Sequence, residues 1–106
     1  MSGSSHYIQF QYRNVPASTT QVLTSDNGAF IHRVVVNVST TALAAAVTLT
    51  DANAVAFTIL PATTAPGTYN IELNVQSINY GVPGNNFSIT TPANCIATVI
   101  GDFSLL

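Results

Sequence analysis

The side chains that could do acid–base or nucleophilic chemistry are few and widely spaced along this chain of 106 residues. His6 lies near the N-terminus. His32 stands beside Arg33 in an apolar run, a setting typical of a surface or interface hydrogen-bonding residue rather than a general base. No glycine-rich phosphate loop, nucleophile elbow or Cys/His pair with metal-ligand spacing occurs. The sequence therefore predicts a protein that is not an enzyme and binds no cofactor.

The carboxylates have structural explanations. Asp26 and Asp51 lie in turn signals, where an Asp side chain bonds nearby backbone amides. The tripeptide that Asp51 begins lacks the following glycine and the distal glutamate of a calcium loop, so no metal site is predicted. Glu72 falls on the polar side of an alternating stretch. We expect it to pair with Arg13 or Arg33, within the domain or across a subunit boundary.

The single cysteine excludes an internal disulfide framework. Cys95 lies between Asn94 and Ile96 in an apolar, strand-like run. We expect a buried and unreactive thiol, because free cysteines usually behave as small apolar residues.

The chain carries only two basic and four acidic residues, with no lysine, whereas a soluble domain usually has about a quarter of its residues charged. The net charge of −2 excludes a basic surface for nucleic acid or for a membrane. The longest apolar run, 42–47, is too short to span a bilayer, and no secretion signal is visible, which predicts synthesis in a cytoplasm. An exterior of Thr, Ser, Asn and Ala favours a domain packed against copies of itself or a partner.

Strands must position these residues, because Thr, Val and Ile dominate and turn residues recur at short intervals. We predict an all-β domain, an antiparallel two-sheet sandwich of about eight strands with jelly-roll or immunoglobulin-like topology. Residues 1–12 are predicted to form an N-terminal arm and first strand, and residues 13–106 the single sandwich domain. The predicted strands are residues 6–12, 19–24, 29–38, 45–50, 54–60, 68–75, 87–90 and 95–100.

Alternation within these stretches predicts which side chains share a face. Ile8, Phe10 and Tyr12 share one face of the first strand, and Val22 is the core residue predicted for the second. The arm starts with small polar residues and becomes a strand suited to addition at a sheet edge.

Three stretches together resemble a known pattern: residues 30–37 (FIHRVVVN), 46–51 (AVTLTD) and 66–71 (PGTYNI). In this order they are similar to the small β-sandwich proteins that decorate or cement the capsids of tailed bacteriophages. The resemblance covers residues 30–75 and consists of residue patterns that are common in β-strands. The later stretch 77–82 (SINYGV) departs from the pattern of that family.

The resemblance implies a non-enzymatic virion protein, made in the host cytoplasm, that binds the major capsid protein as a homotrimer and bridges neighbouring shell subunits. The alternative is a receptor- or glycan-binding module of a tail fibre or adhesin, which would use Tyr80 and the loop 81–86. The residues predicted to meet the capsid or a neighbouring subunit are Tyr7, Ile8, Phe10, Tyr12, Arg13, Arg33, Glu72, Phe103, Leu105 and Leu106.

Overall fold

Strands dominate the part of the chain that the structure describes. The computed structural model describes residues 10–23, 29–50, 55–77 and 87–103, and within them lie eight β-strands and no helix. The predicted all-β class is therefore confirmed. The strands are β1 (Gln11–Val15), β2 (Thr19–Val22), β3 (Ala29–Val38), β4 (Val47–Thr50), β5 (Ala56–Leu60), β6 (Gly67–Ser77), β7 (Ser88–Thr91) and β8 (Cys95–Asp102).

The strands form two four-stranded antiparallel sheets, as predicted. Sheet I has the order β1-β8-β3-β6, and sheet II has the order β2-β7-β4-β5. The chain changes sheet at every connection except the one between β4 and β5, which are neighbours in sheet II. This arrangement is the eight-stranded jelly roll, one of the two sandwich topologies that the sequence allows.

The core lies between the sheets and is filled by alternate residues of their strands. Val34 and Val36 of β3 are fully buried, and so are Val47 and Leu49 of β4, as the alternation predicts. The edge strand β6 also follows its predicted alternation. Its inward side chains, half-buried against the core, are Tyr69, Ile71, Leu73 and Val75.

The first strand differs from the prediction. β1 begins at Gln11 and continues through Val15, where the sequence predicts a break, because all five of its residues pair with β8. Only Val15 of this strand is buried, and Tyr12 is 69% exposed on the opposite face. The described residues of the predicted arm, 10–12, thus include the start of a sheet I strand.

The second strand ends earlier than predicted, and its core residue is a different one. Val22 is 58% exposed, because the register places it opposite Ser88 on the outer face of sheet II. The next residue, Leu23, is 1% exposed and donates its backbone N–H to the Phe87 carbonyl oxygen at 2.8 Å. The core assignment of Val22 was therefore wrong by one residue.

Three turns with the sequence Pro-Ala-X lie at one end of the sandwich. Each places its third residue at positive φ: Ser18 at 54°, Thr63 at 66° and Asn94 at 73°. Positive φ is uncommon outside glycine, so this shared geometry is a feature of the turn rather than of one residue type. All four described connections between strands, residues 16–18, 39–46, 61–66 and 92–94, lie at this end, which we call the turn end.

A bulge in β3 sets which residues face outward near the opposite end. Ile31 pairs with Gly101 and Arg33 with Ile100, so His32 is an extra residue relative to β8. A Cβ at Gly101 would overlap the Phe30 carbonyl oxygen and lie 3.0 Å from Ile31 Cα. Only glycine permits this approach of the two strands.

Candidate interaction surface

The outer face of sheet I gathers more of the predicted contact residues than any other described surface. The register aligns its outward side chains into three rows that run across the strands. We call this surface the sheet I face. Its rows are Tyr12–Ile100–Arg33–Glu72, Asn14–Thr98–Val35–Asn70 and Ile96–Asn37–Thr68.

Large apolar side chains are exposed on the sheet I face. Tyr12 is 69% exposed and Ile96 is 54% exposed, while Val35 and Ile100 between them are half-buried. Scattered exposed apolar residues are normal, but a group aligned on one rigid sheet is typical of a contact surface. Tyrosine is also enriched among the residues that dominate binding energy at interfaces.

Residues of opposite charge are neighbours at one edge of this face. Arg33 of β3 lies directly across from Glu72 of β6 in the register, but no ion pair joins their side chains. Arg33 Nε and His32 Nδ1 are buried without a hydrogen-bond partner among the described residues. A buried polar atom without a partner costs about 1–3 kcal/mol, so these two atoms are a costly feature of the isolated chain.

An aromatic cluster borders the face at the bulge. The Phe10 ring lies 4.9 Å from the His32 ring and 6.5 Å from the Phe30 ring, measured between centroids. Phe10 is itself 54% exposed. The ring of Phe10 thus packs beside the bulged histidine and extends the apolar surface that begins at Tyr12.

Two predicted contact residues point to the other side of β1. The Arg13 guanidinium lies 4.9 Å from the centroid of the Phe103 ring, a cation–π contact. The backbone N–H of Phe103 donates to Gln11 Oε1 at 3.4 Å. Phe103 is 2% exposed, so the chain's own core covers it. The expectation that a partner covers Phe103 is corrected accordingly, and within the chain Arg13 contacts this ring.

The remaining predicted contact residues, Tyr7, Ile8, Leu105 and Leu106, lie outside the described residues. So do Tyr80 and the loop 81–86, on which the glycan-binding alternative depends.

Ile96 and Ile100 were not among the predicted contact residues, although the sequence carries a signal for them. In β8 the residues Cys95, Ala97 and Val99 are buried, and strict alternation then places the two isoleucines on the outer face. The stretch 95–100 is apolar except for Thr98, so it predicts a covered strand. The register with β1 and β3 is what shows its outer side to be a surface.

The outer face of sheet II is chemically different. Its central row is Thr20–Thr90–Thr48–Thr58, and the hydroxyls of Thr20 and Thr90 are 3.0 Å apart in a hydrogen bond. No residue of the four sheet II strands is charged. Serine and threonine are poor contributors to binding energy at interfaces, which favours the sheet I face as the contact surface.

Residues 10–23, 29–50, 55–77 and 87–103 contain no group of three or more His, Cys, Asp or Glu side chains that could hold a metal ion. The same ranges contain no helix long and apolar enough to cross a membrane. Cys95 is free and buried, as predicted, and burial raises the pKa of its thiol above the ordinary value.

Comparison with known proteins finds no relatives. No family model matches the chain, and no curated protein or solved structure matches it.

Proposed function

We propose that this chain is a structural subunit that decorates or cements the capsid of a tailed bacteriophage by bridging neighbouring shell subunits. The observation that carries the proposal is the sheet I face, a rigid surface with exposed Tyr12 and Ile96 and with the oppositely charged Arg33 and Glu72 at its edge. The jelly roll is also a recurrent fold of viral capsid domains, which supports the proposal by analogy.

The composition of the face suits repeated contact with protein. Its outward residues are mostly aromatic, aliphatic or amide side chains, so covering them desolvates few ions. The charges of Arg33 and Glu72 fix the register of docking more than its affinity, because pairs at the border of an interface stay partly solvated. A subunit that binds only the assembled shell stabilises that state by mass action.

The proposed partner is the major capsid protein, and the proposed assembly is a homotrimer. Closed symmetry would give the shell several equivalent contacts for each decorating particle, and avidity then compensates for a modest single contact. Light scattering coupled to size exclusion tests the assembly: the expected mass is three chains, and a monomer at high concentration would contradict the homotrimer.

The test of function mixes the purified chain with empty expanded capsids of the phage that encodes it. Saturable, symmetric addition, measured by sedimentation and electron microscopy, is the expected result. Ile96→Asp should weaken binding on the order of a hundredfold, because it places an unpaired carboxylate in the contact. The matched control is Val22→Asp, since Val22 is 58% exposed on the outer face of sheet II and Ile96 is 54% exposed.

Two results would contradict the proposal. Absence of binding to capsids, together with binding to whole host cells or glycan arrays, would favour the adhesin alternative. Equal loss of capsid binding in Ile96→Asp and Val22→Asp, with both variants folded, would remove the sheet I face from the proposed contact.

A further inference from the structure

A cavity of about 320 Å³ lies at the turn end, where the connections β1–β2, β3–β4 and β7–β8 meet. Two of its lining residues, Asn37 and Ile96, also belong to the third row of the sheet I face. The volume falls within the range of small ligand sites. The described residues that line it are Ala17, Asn37, Ser39, Asn94, Cys95 and Ile96.

Hydrogen bonds hold the rim of this cavity in place. The Ser18 N–H donates to the Pro92 carbonyl oxygen at 3.0 Å, which ties two of the Pro-Ala-X turns together. The Ser39 N–H and the Ser39 hydroxyl both donate to the Asn94 carbonyl oxygen, at 2.9 and 3.1 Å. Because the rim is preformed, a ligand would lose little free energy in ordering it.

The side chains that line the cavity favour one class of ligand. The described residues that line it include no charged side chain and no aromatic ring, so they offer neither an ion partner nor a stacking surface for a sugar. Asn37 and Asn94 carry amides, which donate and accept hydrogen bonds as a peptide group does. Ile96 and Ala17 supply apolar surface beside them. The two amides could bond the backbone of a neutral peptide segment, while Ile96 and Ala17 pack against an aliphatic side chain of that segment.

We infer that this cavity binds a neutral peptide segment of the shell protein, with an aliphatic side chain against Ile96 and the segment's backbone bonded to the asparagine amides. The inference deepens the proposed function and rests on it for the source of the peptide. The cavity opens beside the sheet I face through Asn37 and Ile96, so one partner surface would cover both.

The first experiment uses the isolated chain and N-acetyl-leucinamide, a small neutral backbone segment with an aliphatic side chain. A probe of this size is expected to bind with a millimolar dissociation constant. In nuclear magnetic resonance titrations we expect saturable shifts at Ala17, Asn37, Asn94 and Ile96, including the side-chain amides. Shifts elsewhere only, or stronger shifts at the cavity with methyl glucoside than with the amide, would overturn the inference.

Variants with matched controls test the site directly. Ala17→Trp fills the cavity and should abolish the shifts, whereas Ala62→Trp places the same ring in the equivalent position of another Pro-Ala-X turn and should leave them unchanged. Asn37→Ala should weaken the titration, while Asn70→Ala, on the neighbouring strand of the same face, should not. Equal behaviour within either pair would contradict the assignment.

Capsid binding then separates this inference from the proposed function. If Ala17→Trp binds capsids as the unmodified chain does, the cavity assignment fails and the decoration role stands. If the unmodified chain binds no capsids although the probe titrates at the cavity, the decoration role fails, and the shell protein as source of the peptide fails with it.

Discussion

Gly101→Ala tests the bulge on which the outer face of sheet I depends. The added Cβ would overlap the Phe30 carbonyl oxygen and approach Ile31 Cα to 3.0 Å, and both atoms belong to backbone. A flexible side chain could rotate away from the new methyl group, but here β3 must move away from β8. Overpacking of this kind costs about 1–3 kcal/mol.

The expected result is a fall of about 2 kcal/mol in the free energy of unfolding, which is a large part of the roughly 5–15 kcal/mol of a typical domain. For a urea slope of about 1–2 kcal/mol per molar, the unfolding midpoint should fall by about 1–2 M. The measurement is equilibrium urea unfolding followed by circular dichroism.

The control for Gly101→Ala is Ala56→Val, which adds more carbon at an exposed position of β5 and should leave the midpoint nearly unchanged. An unchanged midpoint for Gly101→Ala would refute the close approach of the two strands. It would also remove the reason for the outward placement of Arg33, since that placement follows from the bulge at His32.

Two further predictions concern buried groups. The Thr91 hydroxyl is buried, donates to the Pro16 carbonyl oxygen at 2.6 Å and accepts from the Thr19 N–H at 3.2 Å. Thr91→Val should therefore lower the free energy of unfolding by about 1–3 kcal/mol in urea titrations. Thr90→Val, at a half-buried position, should have a smaller effect, and a larger effect of Thr90→Val would contradict the structural role of the Thr91 hydroxyl. Burial raises the pKa of the Cys95 thiol, so less thiolate is present near neutral pH. Iodoacetamide should therefore modify Cys95 slowly in the native chain and rapidly in urea, as followed by mass spectrometry. Equal modification rates in the two conditions would show that the native thiol is accessible.

Local alternation was sufficient to predict the central strands. β3 has the predicted bounds, and Val47 and Leu49 face inward as their period of two requires. The jelly-roll order could not be chosen over the immunoglobulin-like one, because strand pairing across the sheets depends on contacts between distant residues. Pairs such as Thr19 and Thr91 leave no local trace in the sequence.

The wrong core residue in the second strand has a physical cause. Val22 looks like a core residue, because β-branched side chains usually face inward. It lies on the edge strand β2, where only β7 fixes the register, and that register turns Val22 outward. The candidate surface was predictable only in part: Arg33 was one of two partners expected for Glu72, but their row with Tyr12 and Ile100 follows only from the register of the assembled sheet.

The scarcity of charge has a different consequence for each sheet. All four described charged residues, Arg13, Arg33, Glu72 and Asp102, belong to sheet I, so sheet II depends on hydroxyls for its solvation. The threonine row of sheet II can bond water without ions, and its short side chains hold few apolar atoms for a partner to cover. The sheet I face instead combines charge with exposed aromatic and aliphatic groups. This difference between the two faces is why we propose that the chain binds protein through the sheet I face, with the outer face of sheet II left in water.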